Sequence, residues 1–469
     1  MLRLFPSCFQ MQACRSLFRY NVVMKNDKKT HPLKEERVSE EIRVLREEEI
    51  PQFVRIGLAA FPGFKMPPGE PEHYFTALHR SERGKLYGYF REGRMLGGYL
   101  VYHYLARFHE AQVKAAGLAW VVVDLLHKKE QIARRMISFF HRQCLAEGTF
   151  LAMLFPFRAD FYRKMGYGVG TRMDEYRIPP AMIPAGQGKE RVSHLQEADV
   201  PLLEDCYRAL QSQRHGLLDR TPEEFLRFFE GPGLRVVGVR STPSSIIPDG
   251  DGCAIVEMAE EERLSGYLAF SFPPAAGGNP LLNNLNVREL VYRDSETLQS
   301  LLAFLHSQVD QVERVIFHSQ EEDFHALFAD PRDASRHFFL GDWQQIAVAG
   351  LGVMYRFLDL PAAFRALAGH DFGGVTANLR LTVRDSFLPE ADGSYDLVFQ
   401  RGRVQLEDGV SPEVELTLDI ADFSSLLMGS LRLRSLVRYN LATLSDPAWL
   451  DRLDQLFRVT EKPLCMTDF

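Results

Sequence analysis

The chain has 469 residues, 46% of them apolar and 25% charged, which fits a globular protein with several cores. A net charge of −7 lacks the basic footprint of a nucleic-acid binder. The six cysteines (Cys8, Cys14, Cys144, Cys206, Cys253 and Cys465) are too sparse for a disulfide framework and show no metal-ligand spacing, and no apolar run reaches transmembrane length. A reducing, cytoplasmic setting is the expectation.

Residues 1–37 stand apart as an N-terminal extension, expected to be disordered. Met1 to Val23 holds Arg3, Arg15 and Arg19 and no acid, and is read as an upstream start before Met24 rather than as a transit peptide. From Glu41 the pattern is regular. Glu41–Leu45 predicts a strand, Glu47–Ala60 a helix, and the Pro/Gly-rich stretch Phe61–Glu70 a loop. Strands follow over Leu86–Arg91, Met95–Phe108 and Val113–Val123, with a turn at Glu92-Gly93. Glu130–Glu147 predicts a helix with Ile132, Met136, Ile137, Phe140 and Cys144 on one face. Phe150–Phe155 is a strand, Asp160–Met165 a short helix, and Arg172–Ile178 the strand that closes this first mixed sheet.

Pro179–Gly188 reads as a linker, after which the pattern restarts. Leu264-Ser-Gly-Tyr-Leu-Ala-Phe270 echoes Leu96-Gly-Gly-Tyr-Leu-Val-Tyr102, and Glu289–Gln308 aligns without gaps on Asp124–Gln143. Two matches in one order, at offsets of 168 and 165, point to a duplicated unit. From about 356 the character changes. Asp359–Leu367 is helical, Val375–Phe387, Gly393–Glu407 and Val414–Ile420 alternate as strands, Asp422 reads as the N-cap of a helix Phe423–Met428, and Asp446–Phe457 is a further helix. The apolar last residue, Phe469, hints at a packed terminus.

The chemistry-bearing candidates cluster in the first unit. The apolar strand end Trp120–Val123 runs into Leu126-His-Lys-Lys-Glu-Gln131 and then a helix, whose N-terminal N–H groups favour an anion. On the residues alone this is either an anion cradle or an ordinary turn with solvated lysines. Downstream, in Phe161-Tyr-Arg-Lys-Met-Gly-Tyr-Gly168, Tyr162 is either a proton donor or a core aromatic, and Tyr167 is read as structural. His103, His109 and His127 have no metal partners at useful spacing and are read as surface or core groups.

These segments resemble the GNAT acetyltransferase fold, whose splayed strand meets pantetheine and whose loop, usually Arg/Gln-x-x-Gly-x-Gly/Ala, meets pyrophosphate. Here Lys128 stands near the basic position, Gln131 replaces the first glycine, and Glu130 adds a negative charge. From about 41 to 469 the chain resembles the Eis-like acetyltransferases, on Phe161–Gly168, the duplication and the ending Thr467-Asp-Phe469. The resemblance implies an α/β and α+β fold: two fused GNAT-type mixed-sheet units, over 38–180 and, degenerate, over 190–355, then an SCP2-like (sterol-carrier-protein-like) α+β domain over 356–469. It implies an acetyl-CoA-dependent N-acetyltransferase that needs no metal and acts on a primary amine, small molecule or peptide. Tyr162 would be the acid and the Phe469 carboxylate the base. Val121, Val123, Lys128, Lys129, Gln131 and Ile132 would bind the cofactor, and Trp120, Phe61 and Asp468 the substrate. An acid that serves cationic aminoglycosides in a relative would fall near Gly63. A homo-oligomer, hexameric in relatives, is implied, with no nucleic-acid or membrane partner. The glycine-free loop, matched by Tyr292-Arg-Asp-Ser-Glu296 in the second unit, keeps open the alternative of a non-catalytic scaffold, or a lipid- or CoA-binding protein.

Overall fold

Strands form where the alternating pattern begins. A computed structural model describes residues 39–469 apart from 65, 66, 68, 232, 242–245, 249–253, 257–262, 277, 334 and 336, so the expected N-terminal extension lies outside the described residues. The strands β1 (Glu40–Val44), β2 (Gly84–Arg91), β3 (Arg94–Phe108), β4 (Ala111–Val123) and β5 (Leu151–Leu154) lie side by side in that order. Glu92 and Gly93 turn β2 into β3 with φ of 52° and 76°, the left-handed pair that suits the twist of a two-residue hairpin. β4 and β5 run parallel, joined by a crossover helix. Helix α1 (Ile50–Ala60) buries Ile50, Phe53, Val54 and Ile56, and α3 (Ile132–Ala146) buries the predicted stripe Ile132, Met136, Ile137, Phe140 and Cys144. Between them lies α2 (Glu70–Arg80), which the sequence leaves unassigned: its apolar stripe is only Pro71, Phe75 and Leu78, directly after a Pro/Gly-rich loop.

The closing strand of the first unit is a correction. Met173–Ile178 does not join the first sheet. After β5 that sheet is completed by Met354–Phe357, which arrives from the far end of the second unit, and by Gly168–Val169. Met173–Ile178 instead pairs antiparallel with Val312–Ser319. The second sheet runs Val192–His194, Leu234–Ser241, Arg263–Ser271, Asn283–Tyr292, Val312–Ser319, Met173–Ile178, Val348–Gly350. Each sheet has seven strands, antiparallel except for the pair in fourth and fifth place, so the two units share one topology and have exchanged strands. Alternation tells which face of a strand is buried but not which sheet receives it.

The last domain has five strands, in the order Arg403–Leu406, Gly393–Gln400, Ala377–Arg384, Val414–Asp419, Ala442–Leu444. The stretch Gly393–Glu407 is a hairpin over Arg401-Gly402 rather than one strand. Its buried helix, Ile420–Leu427, begins three residues earlier than predicted. Asp419 is the N-cap, accepting from the Ala421 N–H, whereas Asp422 is buried and accepts both oxygens' bonds from Arg163 Nη2 at 2.8 Å. Phe108, Phe150 and Phe357 of the first unit share one apolar core with Phe364 and Phe423 of this domain.

Candidate active site

The site begins with a ladder that stops. β4 pairs with β5 only from Ala115 to Gly117, so beyond Gly117 the two strands part and the β5-facing edge of Leu118–Val123 leaves the ladder. On its other side β4 bulges. Gly98 faces Val122 and Leu100 faces Ala119, so Trp120 and Val121 stand together against Tyr99, with Trp120 at a left-handed φ of 48°. The bulge turns Trp120 toward Phe75, Phe61 and Phe64, whose ring centres lie 5.0, 5.8 and 5.5 Å away. Val121 and Val123 are half-buried against the cluster that contains Ile132 and Tyr162.

A loop with an anion-binding shape follows. Asp124 caps a short turn by accepting from the Leu126 N–H at 2.9 Å. Lys129 and Gln131 then take left-handed φ of 67° and 63°, and α3 starts at Ile132 with no side-chain cap. The N–H groups of Ile132, Ala133 and Arg134 precede the first intrahelical bond, from Arg135 N–H to Gln131 O at 3.0 Å. Lys128, Lys129 and Gln131 are exposed there, while the Ile132 side chain is core, leaving only its backbone for a ligand. Glu130, the apparent obstacle to an anion, is drawn aside by Arg91 Nη1 at 2.6 Å and His127 Nδ1 at 3.2 Å.

Tyr162, on the short helix Ala159–Arg163, is buried beside Phe157, Phe161 and Tyr167. Burial pushes its hydroxyl well above the usual tyrosine range, and that hydroxyl has no hydrogen-bond partner among the described residues. Tyr167 is structural, its hydroxyl bonded to the buried His141 at 2.9 Å.

The chain's last residues reach β4 at Gly117. They are fastened in turn: Pro463 O accepts from Thr171 Oγ1, Leu464 N–H donates to His215 O, and Cys465 N–H donates to Gln320 Oε1. Arg220 then donates to Met466 O at 2.5 Å and to Thr467 Oγ1 at 3.0 Å, itself held by Glu289 at 2.7 Å. Phe469 lands on Gly117, where a Cβ would stand 2.6 Å from its ring, between Tyr102, Tyr104 and Phe155. Asp468, one residue back, is exposed. The structure therefore puts Trp120, Val121 and Val123 on β4 just beyond Gly117, where Phe469 sits, with Phe61 against Trp120 and the loop 128–131 following the strand; Trp120, Phe61 and Phe469 pack in one apolar cluster, and Val121, Val123 and Tyr162 in another. Sequence reasoning missed Gly117, Arg220 and Tyr102. A glycine inside an otherwise regular strand is a signal of close approach that Gly117 did carry. Of the three histidines weighed, His109 is a half-buried junction group stacked 4.4 Å from His215, and among the described residues no side-chain cluster could hold a metal.

Residues 41–170 match a GNAT acetyltransferase domain, 240–346 a second GNAT acetyltransferase domain and 360–466 a sterol carrier protein domain. The chain thus carries two GNAT acetyltransferase domains followed by a sterol carrier protein domain, and it resembles the Eis-like tandem GNAT N-acetyltransferases. It is 23% identical over 443 residues to an uncharacterized N-acetyltransferase of Streptomyces griseus, a match covering 91% of this chain and 99% of the relative. Two solved structures share the fold. A GCN5-related N-acetyltransferase from Anabaena variabilis superposes with a TM-score of 0.73 at 20% identity, covering 92% of this chain and 100% of its own. Eis1 from Mycobacterium abscessus superposes at 0.70 and 20%, with the same coverage. In this chain the corresponding helix start of the second unit is capped: Asp294 accepts from the Thr297 N–H at 2.7 Å at the start of the helix Ser295–His306. Among the described residues no helix is long and apolar enough to cross a membrane.

Proposed function

We propose that this Eis-like chain transfers an acetyl group from acetyl-coenzyme A to a primary amine by direct attack of the amine on the thioester. One observation carries the reading: the last residue, Phe469, sits on Gly117 at the point where β4 and β5 part. Phe469 at the splay of a strand pair supports a reading in which its carboxylate takes the proton that an acceptor amine must lose. The N–H groups of Ile132 to Arg134, with Lys128, Lys129 and the left-handed backbone at Gln131, suit a pyrophosphate. Backbone N–H groups of Val121 and Val123 suit a carbonyl oxygen that gains charge. Acetyl-CoA supplies an activated acyl carbon. The amine gives a proton to the Phe469 carboxylate as its nitrogen bonds to that carbon, the C–S bond breaks, and Tyr162 protonates the departing thiolate. Trp120, Phe61 and Asp468 flank the acceptor's approach. The same reading includes a homo-oligomer, supported by the exposed apolar hairpin carrying Phe338, Phe339, Leu340 and Trp343. A mass of 53.6 kDa by light scattering at working concentration would contradict that part.

The test is calorimetric titration with acetyl-CoA of the wild type, Tyr162→Phe and a chain lacking Phe469, followed by an amine screen. All three should bind one equivalent, and the two variants should lose about 100-fold in kcat. No binding at millimolar acetyl-CoA would remove the enzyme reading and leave a non-catalytic scaffold.

A further inference from the structure

Beside the fastened tail a cavity of about 460 Å³ opens between the helix Pro222–Glu230, the strand Asn283–Tyr292 and the residues Met466–Asp468. Its charges divide into two sets. Arg220 is committed to Glu289, and Glu224 to Arg83 at 3.4 Å and to the Thr221 N–H at 2.8 Å. Arg227, Arg288 and Asp468 have no ion pair and no side-chain hydrogen bond among the described residues, although all three line the cavity. Two guanidinium groups without a carboxylate partner, on separate elements, thus line one space whose other unpaired charge is a carboxylate next to the chain terminus.

Arg227 is linked to the opening at Gly117. Its guanidinium lies over the Tyr74 ring, 5.4 Å from the centre. The Tyr74 hydroxyl bonds the Tyr102 hydroxyl at 2.7 Å, and the Tyr102 ring packs against Phe469 at 6.1 Å. A guanidinium fork matches a pair of oxygens of a carboxylate or phosphate better than any other side chain does. We propose that this cavity receives an oxyanion of the acceptor: the amine acetylated here also carries a carboxylate or phosphate, held by Arg227 and Arg288, while Asp468 faces its ammonium. The acceptor is then a zwitterion, such as an amino acid, a peptide or an aminoalkyl phosphate, and not a polycation. The inference rests on the acetyl-transfer reading for its purpose, but the subsite binds its ligand without turnover.

The experiment uses the full chain and two matched ligand pairs, N-acetylphenylalanine against N-acetylphenethylamine and N-acetyl-O-phosphoethanolamine against N-acetylethanolamine, titrated by calorimetry. In at least one pair the anionic member should bind about tenfold tighter, the worth of a charged hydrogen-bonded contact. The pair that shows the preference tells carboxylate from phosphate. Arg227→Gln with Arg288→Gln should bring the ratio to about one, and Arg227→Lys with Arg288→Lys should restore part of it; both arginines are exposed, and unchanged melting temperatures would show the fold intact. Equal affinities within both pairs, or a preference that survives the double glutamine change, overturn the proposal. An acetyl-CoA titration on the same samples separates the readings. Donor binding without anion preference removes only the subsite, and arginine-dependent anion binding without donor binding removes only acetyl transfer.

Discussion

Gln131 and Lys129 hold left-handed backbone at a cost that a glycine would avoid, on the order of 1 kcal/mol each. Strain of this kind persists where the surroundings over-determine it, and here it aims the N–H groups that open α3. Gln131→Gly should therefore raise stability in denaturant titration by about 1 kcal/mol and leave acetyl-CoA affinity equal or higher. A drop in stability would mean that the exposed Gln131 side chain has a role in the fold. Gly117 presents the opposite case, since its missing Cβ is occupied by the Phe469 ring. Gly117→Ala should expel the terminal residue and lower kcat about as far as deleting Phe469, while acetyl-CoA binding persists; undiminished turnover in Gly117→Ala would show that the seat at Gly117 is not used.

Among the elements, the tail and the loops that hold it decide whether the terminus reaches its seat. His215 is central: its backbone carbonyl accepts from Leu464 N–H, its Nδ1 accepts from His109 N–H at 2.9 Å, and its Nε2 meets Met428 O at 3.0 Å. His109 stacks on it, His370 packs on the His109 ring, and Glu110 pairs with His370 at 2.6 Å. Protonating Nδ1 would break the bond to His109, and burial pushes the His215 imidazole down from 6.5 to about 4. Between those values the unfolded chain takes up a proton that the folded chain refuses. Stability is thus fully present above pH 6.5 and falls as pH drops toward 4, by a few kcal/mol at most. Melting temperatures across that window should decline more steeply for the wild type than for His215→Gln; parallel curves would assign the acid sensitivity elsewhere.

At the scale of the molecule the units are interlocked. The first sheet is completed by Met354–Phe357, Met173–Ile178 serves the second sheet, and the last domain shares the core of the first unit. The buried pair Arg356–Asp385, at 2.5 Å, ties that domain to the Tyr162 region, since Arg356 also donates to Met165 O. A fragment over 38–180 leaves the edge of β5 bare and gives up one side of its core. It should be insoluble or fail to melt cooperatively, whereas the full chain melts as one unit. A fragment with a sharp transition would show that the exchanged strand is dispensable.

Local pattern was enough for much of this. The stripe of α3, the alternation of β2 to β4 and the turn at Glu92-Gly93 follow from side-chain period and backbone preference, which neighbours in sequence determine. The restart of the motif after Gly188 likewise made two units legible, and Phe161–Gly168 with the final Thr467-Asp-Phe469 pointed to the site. The partner of Met173–Ile178 was not legible, because a strand's pattern names its buried face and leaves its neighbour open. Nor was the N-cap at Asp419, since Asp422 offered the same chemistry three residues later and only the Arg163 pairing tells them apart. The seat of Phe469 on Gly117 and the grip of Arg220 on the tail join residues hundreds of positions apart, and Arg227 and Arg288 reach one cavity from separate elements; only tertiary packing decided them.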